Sequence, residues 1–355
     1  MLGTVTRDPM YVTLGRSGLK VPKNGFGALP IQRISTAETV HLLHKAMDNG
    51  MYYFDTARFY TDSEAKLGEA FADGRRGRVI ISTKTGATTA EGFWHDLETS
   101  LRLLRTDYID LYQFHNPAFC PKPDDGTGLY EAMMQAVQQG KVLHVGITNH
   151  RLAVAHEAVE SGLYETLQFP FSYLASDKER ALVEMCGSHD MGFIAVKALA
   201  GGLIDHAATA FAYLMQFPQV EPIWGIQRES ELDEFISFQQ NPPTLTEEMQ
   251  QRIEKDRQEL SGDFCRGCGY CQPCPAGIEI ESCNRMYLFL RRAPYEVYLT
   301  EEFHQKMLQV RECLRCGRCR EHCPYNLDTP NLLQRNLEDF LSHWEHRDRY
   351  LNGQK

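Results

Sequence analysis

Two short stretches hold most of this chain's cysteine. CRGCGYCQPCP (265–275) contains Cys265, Cys268, Cys271 and Cys274, and CLRCGRCREHCP (313–324) contains Cys313, Cys316, Cys319 and Cys323. The second stretch is C-x2-C-x2-C-x3-C-P, the spacing of [4Fe–4S] ligation. Three thiolates on one tight loop grip three corners of a cube, and the proline turns the chain away. The first stretch has the same form with one residue fewer before its fourth cysteine. In two-cluster ferredoxins the fourth cysteine of each motif ligates the other cluster. On that pattern Cys265, Cys268, Cys271 and Cys323 hold one cluster, and Cys313, Cys316, Cys319 and Cys274 hold the other. Nine of the eleven cysteines lie after residue 264, which in a reducing compartment points to metal and away from disulfides. Two zinc sites of four thiolates are the competing reading, but such sites usually come as separated C-x2-C pairs. Cys283 lies on an expected helix and reads as a packed thiol; Cys120 and Cys186 read as structural.

A second set of residues is spread along the chain. Asp55, Lys84, His115, Asn149 and Gln168 each fall at the end of a β-rich run, and Tyr60 follows Asp55 by five residues. A phenol with a pKa near 10 is a poor proton donor at neutral pH. An ammonium from Lys84 lowers that pKa by stabilising the phenolate. Asp55 holds Lys84 and keeps it charged, and His115 hydrogen-bonds a carbonyl and orients it. The set makes a general acid for carbonyl reduction, with hydride from a nicotinamide.

The elements that must position these residues are legible as an alternation. Strand candidates are 24–29, 52–56, 79–84, 108–115, 142–148, 166–169, 192–197 and 221–226. Helical patterns separate them at 36–49, 62–72, 91–104, 128–139, 150–161, 177–188 and 206–216, with an eighth starting near Arg228. Strand–helix alternation implies a parallel sheet. Eight units in this length fit a closed (β/α)8 TIM barrel better than an open sheet, and no GxGxxG follows the first strand. In a barrel the strand C-termini meet at one mouth, where chemistry sits. From Asn241 the character changes. NPPT breaks the last barrel helix. TEEMQQRIEKDRQEL (246–260) reads as a charged helix with Thr246 as N-cap and Gly262 near its end. Segments 282–299 and 301–313 read as helices between the cysteine motifs, and 330–346 as a closing helix. The expected architecture is α/β: a barrel over 1–240, a linker helix over 241–262, and a small, mainly α-helical, ferredoxin-like iron–sulfur domain over 263–355.

With these residues in order, the chain resembles the aldo-keto reductase superfamily over about residues 11–237. FDTARFYTDSEAKLGEAF is similar to that family's Asp-Thr-Ala…Tyr…Ser-Glu…Leu-Gly signature, and ISTK, FHNP and VGITNH follow in the family's order. The resemblance implies that Asp55, Tyr60, Lys84 and His115 are the catalytic tetrad and that Thr148, Asn149 and Gln168 hold the nicotinamide carboxamide. It implies further cofactor contacts at Gly27 and Ala28, at Lys197, Leu199 and Gly201 in VKALAGGLI over the pyrophosphate, and at Gly225, Gln227, Arg228 and Glu231 in WGIQRESEL toward the adenosine. Two features depart from the family. The loop after Gly202 is short, so the dinucleotide is more exposed or something else covers it. Phe235 stands where the family often has Asn, and either stacks on adenine or packs in the core. Arg228 is placed to pair with a 2′-phosphate, which favours NADP(H), with NAD the alternative.

The helical connection between the cysteine motifs resembles the α-helical dicluster ferredoxin modules. The leading reading is therefore a reductase acting on a small carbonyl or alcohol substrate, with two [4Fe–4S] clusters. The competing reading is an electron-transfer or redox-sensing protein with the barrel as scaffold. A flavoprotein or a ferredoxin is the electron partner such clusters would serve. With a net charge of −10 and no long basic run, nucleic acid is not expected as a partner. No apolar run approaches the ~18 residues of a membrane span. The first fifteen residues lack the basic and apolar regions of a signal peptide, so a cytoplasmic location is expected.

Overall fold

The computed structural model describes residues 10–260, 264–292 and 297–347. The described residues divide into two compact units. One falls within Met1–Ala198 and Ala208–Met249, the other within Leu199–Ala207 and Gln250–Lys355.

The first unit is a closed barrel of eight parallel strands. They are β3 (Gly25–Gly27), β4 (Tyr53–Asp55), β5 (Ile80–Thr85), β6 (Ile109–His115), β7 (Val142–Thr148), β8 (Thr166–Pro170), β9 (Gly192–Val196) and β10 (Val220–Gly225). β10 pairs with both β9 and β3 and so closes the ring. Every expected strand is present, within a few residues of its expected limits. The helices between them are α1 (Thr36–Asp48), α2 (Ser63–Ala70), α3 (Ala90–Leu104), α4 (Leu129–Gln138), α5 (Leu152–Ser161), α6 (Asp177–Ser188), α7 (Ala207–Leu214) and α8 (Glu229–Gln240). Their starts are set locally. Ser35 and Glu38, and Ser176 and Glu179, form reciprocal capping boxes at α1 and α6, each satisfying two backbone N–H groups that have no partner within the helix. An antiparallel hairpin, β1 (Tyr11–Thr13) and β2 (Lys20–Pro22), precedes the barrel. Sequence reading missed it because its strands are three residues long. Its Val12, Leu14 and Val21 cluster with Tyr53, Leu111, Ile194 and Ile223, which stoppers the barrel at the end opposite the mouth. Phe235 is buried and stacks on Trp224, ring centroids 4.5 Å apart. It is a core residue.

Gly68 on α2 is required by packing. A Cβ there would lie 2.1 Å from the carbonyl oxygen of Leu103 on α3. Gly68→Ala is therefore expected to cost about 1–3 kcal/mol, the usual range for overpacking. The readout is a lower urea midpoint at unchanged slope. A midpoint equal to the parent's would show that the helices part freely.

The second unit is helical: α9 (Glu247–Glu259, from Gln250 onward), α10 (Ile280–Cys283), α11 (Met286–Arg292), α12 (Glu301–Leu308), α13 (Arg318–Glu321) and α14 (Thr329–Glu345). Thr246 caps α9 through the N–H of Met249; Gly262 lies outside the described residues. The helix expected over 282–299 is instead two short pieces within the described residues. The reason lies in α14, where Asn336 Oδ1 accepts the N–H of Tyr287 at 2.8 Å, which supplies a partner for a new helix start at that point. α14 buries Leu332, Leu333, Asn336, Leu337 and Phe340, a helical-period stripe. Leu333, Leu337 and Phe340 join Ile278, Ile280 and Met307 in the unit's core. Cys283 is packed in that core with its thiol near the carbonyl of Lys306.

Candidate active site and cluster-binding loops

Three residues of the expected tetrad sit at the C-terminal ends of barrel strands and the fourth in the loop that follows one of them. Asp55 ends β4, Lys84 lies near the end of β5, His115 ends β6, and Tyr60 is in the loop after β4. Lys84 is fully buried, with Nζ 2.5 Å from Asp55 Oδ1 and 2.7 Å from the Thr56 carbonyl oxygen. Burial lowers the Lys84 pKa, and the Asp55 carboxylate opposes that shift. Nζ also stands 5.4 Å from the centre of the Tyr60 ring. The Tyr60 and His115 rings meet edge to face at 5.9 Å. Burial lowers the His115 pKa to about 3, and the charge of Lys84 acts in the same direction. Its ring is therefore neutral at pH 7, suited to orienting a carbonyl and unsuited to supplying the proton.

The Tyr60 loop is held from below. Ser63 Oγ donates to the Ala28 carbonyl at 2.9 Å and pairs with Thr56 Oγ1 at 2.8 Å. Buried Glu64 accepts from Thr83 and Ser100 at 2.7 Å each and is paired with Arg58. The Ser-Glu of the sequence signature thus fixes the chain that carries the tyrosine.

The tetrad rests on a buried polar layer that sequence reading missed. Ser82 Oγ donates to Asp55 Oδ2 at 3.1 Å, and Gln168 Nε2 donates to Asp55 Oδ1 at 3.3 Å. Gln113 Nε2 donates to Gln168 Oε1 at 2.8 Å and to Ser82 Oγ at 2.7 Å. The signal was period two: Gln113 shares a strand face with His115, and Ser82 with Lys84.

Of the residues expected at the cofactor, Gly27, Ala28, Thr148, Asn149, Lys197, Gly225, Gln227 and Arg228 lie at strand ends of the barrel or just beyond them, Gln168 lies within β8, and Glu231 lies in the first turn of α8. Gly27 allows close approach, since a Cβ would be 3.0 Å from the Trp224 carbonyl oxygen. Asn149 Nδ2 donates to the Pro117 carbonyl and its Oδ1 accepts the Arg151 N–H. Thr148 Oγ1 accepts the Asn116 N–H. Glu231 accepts the N–H groups of Gln227 and Arg228 at 2.9 and 3.0 Å, which closes the start of α8. The Arg228 guanidinium is exposed, 3.7 Å from Glu231.

Leu199 and Gly201 instead group with the second unit. The Gly201 carbonyl accepts from the guanidinium of buried Arg285, and Asp205 pairs with Arg252 at 3.4 Å. The short loop that the sequence left in question is thus held by side chains of the cysteine-rich unit.

In that unit the cysteines surround two hollows. Cys265, Cys268, Cys271 and Cys323 line one. Cys271, Cys274, Cys313, Cys316 and Cys319 line another. Cys323 of the second motif lines the first hollow, and Cys271 and Cys274 of the first motif line the second. Gly267 and Gly317 have φ of +61° and +79°, a conformation that bends the ligand loops at little cost only with glycine. The N–H of Gly267 points at Cys265 Sγ, 3.4 Å away. Burial raises the Cys265 thiol to about 11, so a thiolate there needs a cation to balance it. Among the described residues no three His, Cys, Asp or Glu side chains converge tightly enough for a single metal ion. Four thiolates spaced around a hollow suit a cubane cluster. Cys120 and Cys186 line neither hollow, and burial raises them to about 11 and about 12.

The chain matches the profile of the aldo/keto reductase family over residues 23–234 and that of the 4Fe-4S dicluster domain over 264–328. It is 30% identical over 228 residues to YrpG of Bacillus subtilis, an oxidoreductase described as uncharacterized, covering 56% of this chain and 69% of that one. It is 26% identical to the aldo-keto reductase YhdN of the same organism, covering 56% and 65%. The chain thus spans about two thirds of the length of these relatives. Among solved structures, a putative aldo-keto reductase of Pseudomonas aeruginosa superposes with a TM-score of 0.58 at 25% identity, covering 65% of this chain and 94% of that one. An aldo-keto reductase of Klebsiella pneumoniae, solved in complex with NADPH, superposes at 0.60 with 23% identity, covering 69% and 94%.

Proposed function

We propose, from the premise that this chain belongs to the aldo/keto reductase family, that it interconverts a small carbonyl compound and its alcohol using NADP(H), and that its eight motif cysteines hold two [4Fe–4S] clusters. The observation that carries the reading is the buried Lys84–Asp55 pair set beneath Tyr60 and beside a neutral His115. When bound, the nicotinamide supplies hydride. Tyr60 donates the proton to the developing alkoxide. Lys84 stabilises the phenolate left behind. Asp55 fixes Lys84, itself held by Ser82 and Gln168. His115 directs a hydrogen bond to the carbonyl oxygen and aligns it with Tyr60. Thr148, Asn149 and Gln168 hold the carboxamide on this reading, with Asn149 itself fixed by the Pro117 carbonyl and the Arg151 N–H. Arg228, exposed at the start of α8, favours a 2′-phosphate and so NADP(H) over NAD(H).

The test is an anaerobic screen of aldehydes, ketones, sugars and steroids with NADPH and NADH. Oxidation of NADPH that depends on one substrate class supports the reading. No turnover with any of them, despite bound NADPH, would remove it.

The eight cysteines suit clusters that pass one electron at a time, whereas hydride chemistry moves two. No GxGxxG fingerprint for a flavin dinucleotide is present to convert between them. NADPH alone is therefore expected to leave the brown cluster absorbance unbleached on the timescale of carbonyl turnover. The check is anaerobic mixing followed by visible absorbance, with and without carbonyl substrate. Bleaching at the turnover rate, in protein free of flavin, would make the second unit an internal relay.

A further inference from the structure

The two cluster loops differ in how they meet solvent. In the first hollow Cys265 and Cys271 are buried, and Cys268 and Cys323 are partly covered. In the second, Cys316 is exposed. Next to it, Leu314 is 68% exposed, one of the most exposed large apolar side chains among the described residues. Both residues line the second hollow, as do Arg315 and Arg318. Arg311 and Arg320 flank them, and all four guanidinium groups are exposed. Against these four positive charges, residues 309–323 carry Glu312 and Glu321, a local balance of +2 on a chain of −10 overall.

We propose that this face is the docking site of an acidic protein that carries one electron at a time, and that electrons enter or leave the chain through the second cluster. The inference rests on the reading of the cysteines as cluster ligands. Three observations select the partner. Cys316 is exposed, so a cluster held there would lie at the surface, where electron transfer needs close approach. The arginines set a positive rim on a negative molecule, which steers an acidic partner to this one face. Leu314 supplies a small apolar centre that excludes water once the partner is seated, the usual anatomy of a transient interface. The step balances simply: a reduced carrier gives up one electron, the oxidised cluster gains it, and no bond or proton moves.

The experiment uses the full-length protein with its clusters loaded and an acidic plant-type [2Fe–2S] ferredoxin as probe. Reduced ferredoxin is mixed anaerobically with the oxidised protein, and bleaching of the cluster absorbance is followed by stopped flow. The second-order rate constant is expected to fall steeply as salt rises. Arg311→Glu with Arg320→Glu, two exposed residues outside the lining of the hollow, is expected to lower it about 10-fold or more at low salt, within the range electrostatic steering supplies. Iron content and NADPH-dependent carbonyl reduction are expected to stay at the parent's level. Leu314→Ser, which leaves the charges intact, should slow transfer at low and high salt alike. A rate indifferent to salt, or a charge-reversed protein that keeps its iron and reacts at the parent's rate, would overturn the proposal. Absence of iron from the parent would instead remove the cluster reading, and failed carbonyl turnover with normal electron uptake would remove only the reductase reading.

Discussion

Tyr60→Phe is expected to lower kcat for carbonyl reduction by about 10²- to 10⁴-fold, the usual worth of a positioned general acid, while NADPH affinity changes little. The substitution removes one oxygen and leaves the ring that meets His115 at 5.9 Å, so binding geometry survives and only the proton donor is lost. The neutral state of His115 makes the effect large, because a neutral imidazole does not replace the lost acid at pH 7. Lys84→Met should be comparably damaging, since the methyl end leaves Asp55 without its buried counter-charge and the phenolate without support. Steady-state turnover and fluorescence titration with NADPH separate the two parameters. Near-native kcat in the Tyr60→Phe protein would sink the assignment. A Lys84→Met protein that lost only cofactor affinity would show that the ammonium does not act through the tyrosine.

The second large effect concerns the cysteines. Protein purified without oxygen is expected to carry about eight irons, the content of two four-iron clusters, and Cys319→Ser to carry about four. Cys319 both lines the second hollow and packs in the core of the helical unit. Its loss should therefore also lower the unfolding temperature of that unit, because ligation and folding share one free energy. Cys283→Ser is the matched control. It sits in the same core, lines neither hollow, and should keep all the iron. Iron analysis and thermal unfolding read both outcomes. Full iron in the Cys319→Ser protein would mean that this thiolate is not a ligand, and stoichiometric zinc with no iron in the parent would replace the cluster reading.

Much of this was legible before the fold was known, and the reason is the range over which each signal acts. Strand and helix limits follow from local apolar periodicity and from caps such as Ser35–Glu38, which lie within three residues of one another. The cluster motifs are equally local, since their spacing is the geometry of one loop. The expected tetrad is not local, yet strand ends in a closed barrel must converge, so naming the ends brought Asp55, Lys84 and His115 to one mouth.

What stayed hidden depends on groups far apart in sequence. Gln113 and Gln168 are 55 residues apart, and only the barrel's closure made one the partner of the other. Phe235 had two open roles until Trp224 was found stacked against it. The chain by itself determined the barrel and the two cysteine-rich loops, because periodicity and spacing are properties of neighbouring residues. Only the tertiary structure decided that loop 199–207 belongs with the cysteine-rich unit, held by Arg285 and Arg252. A buried carbonyl or guanidinium must find a partner, and which partner it finds is set by packing between segments that share no sequence signal.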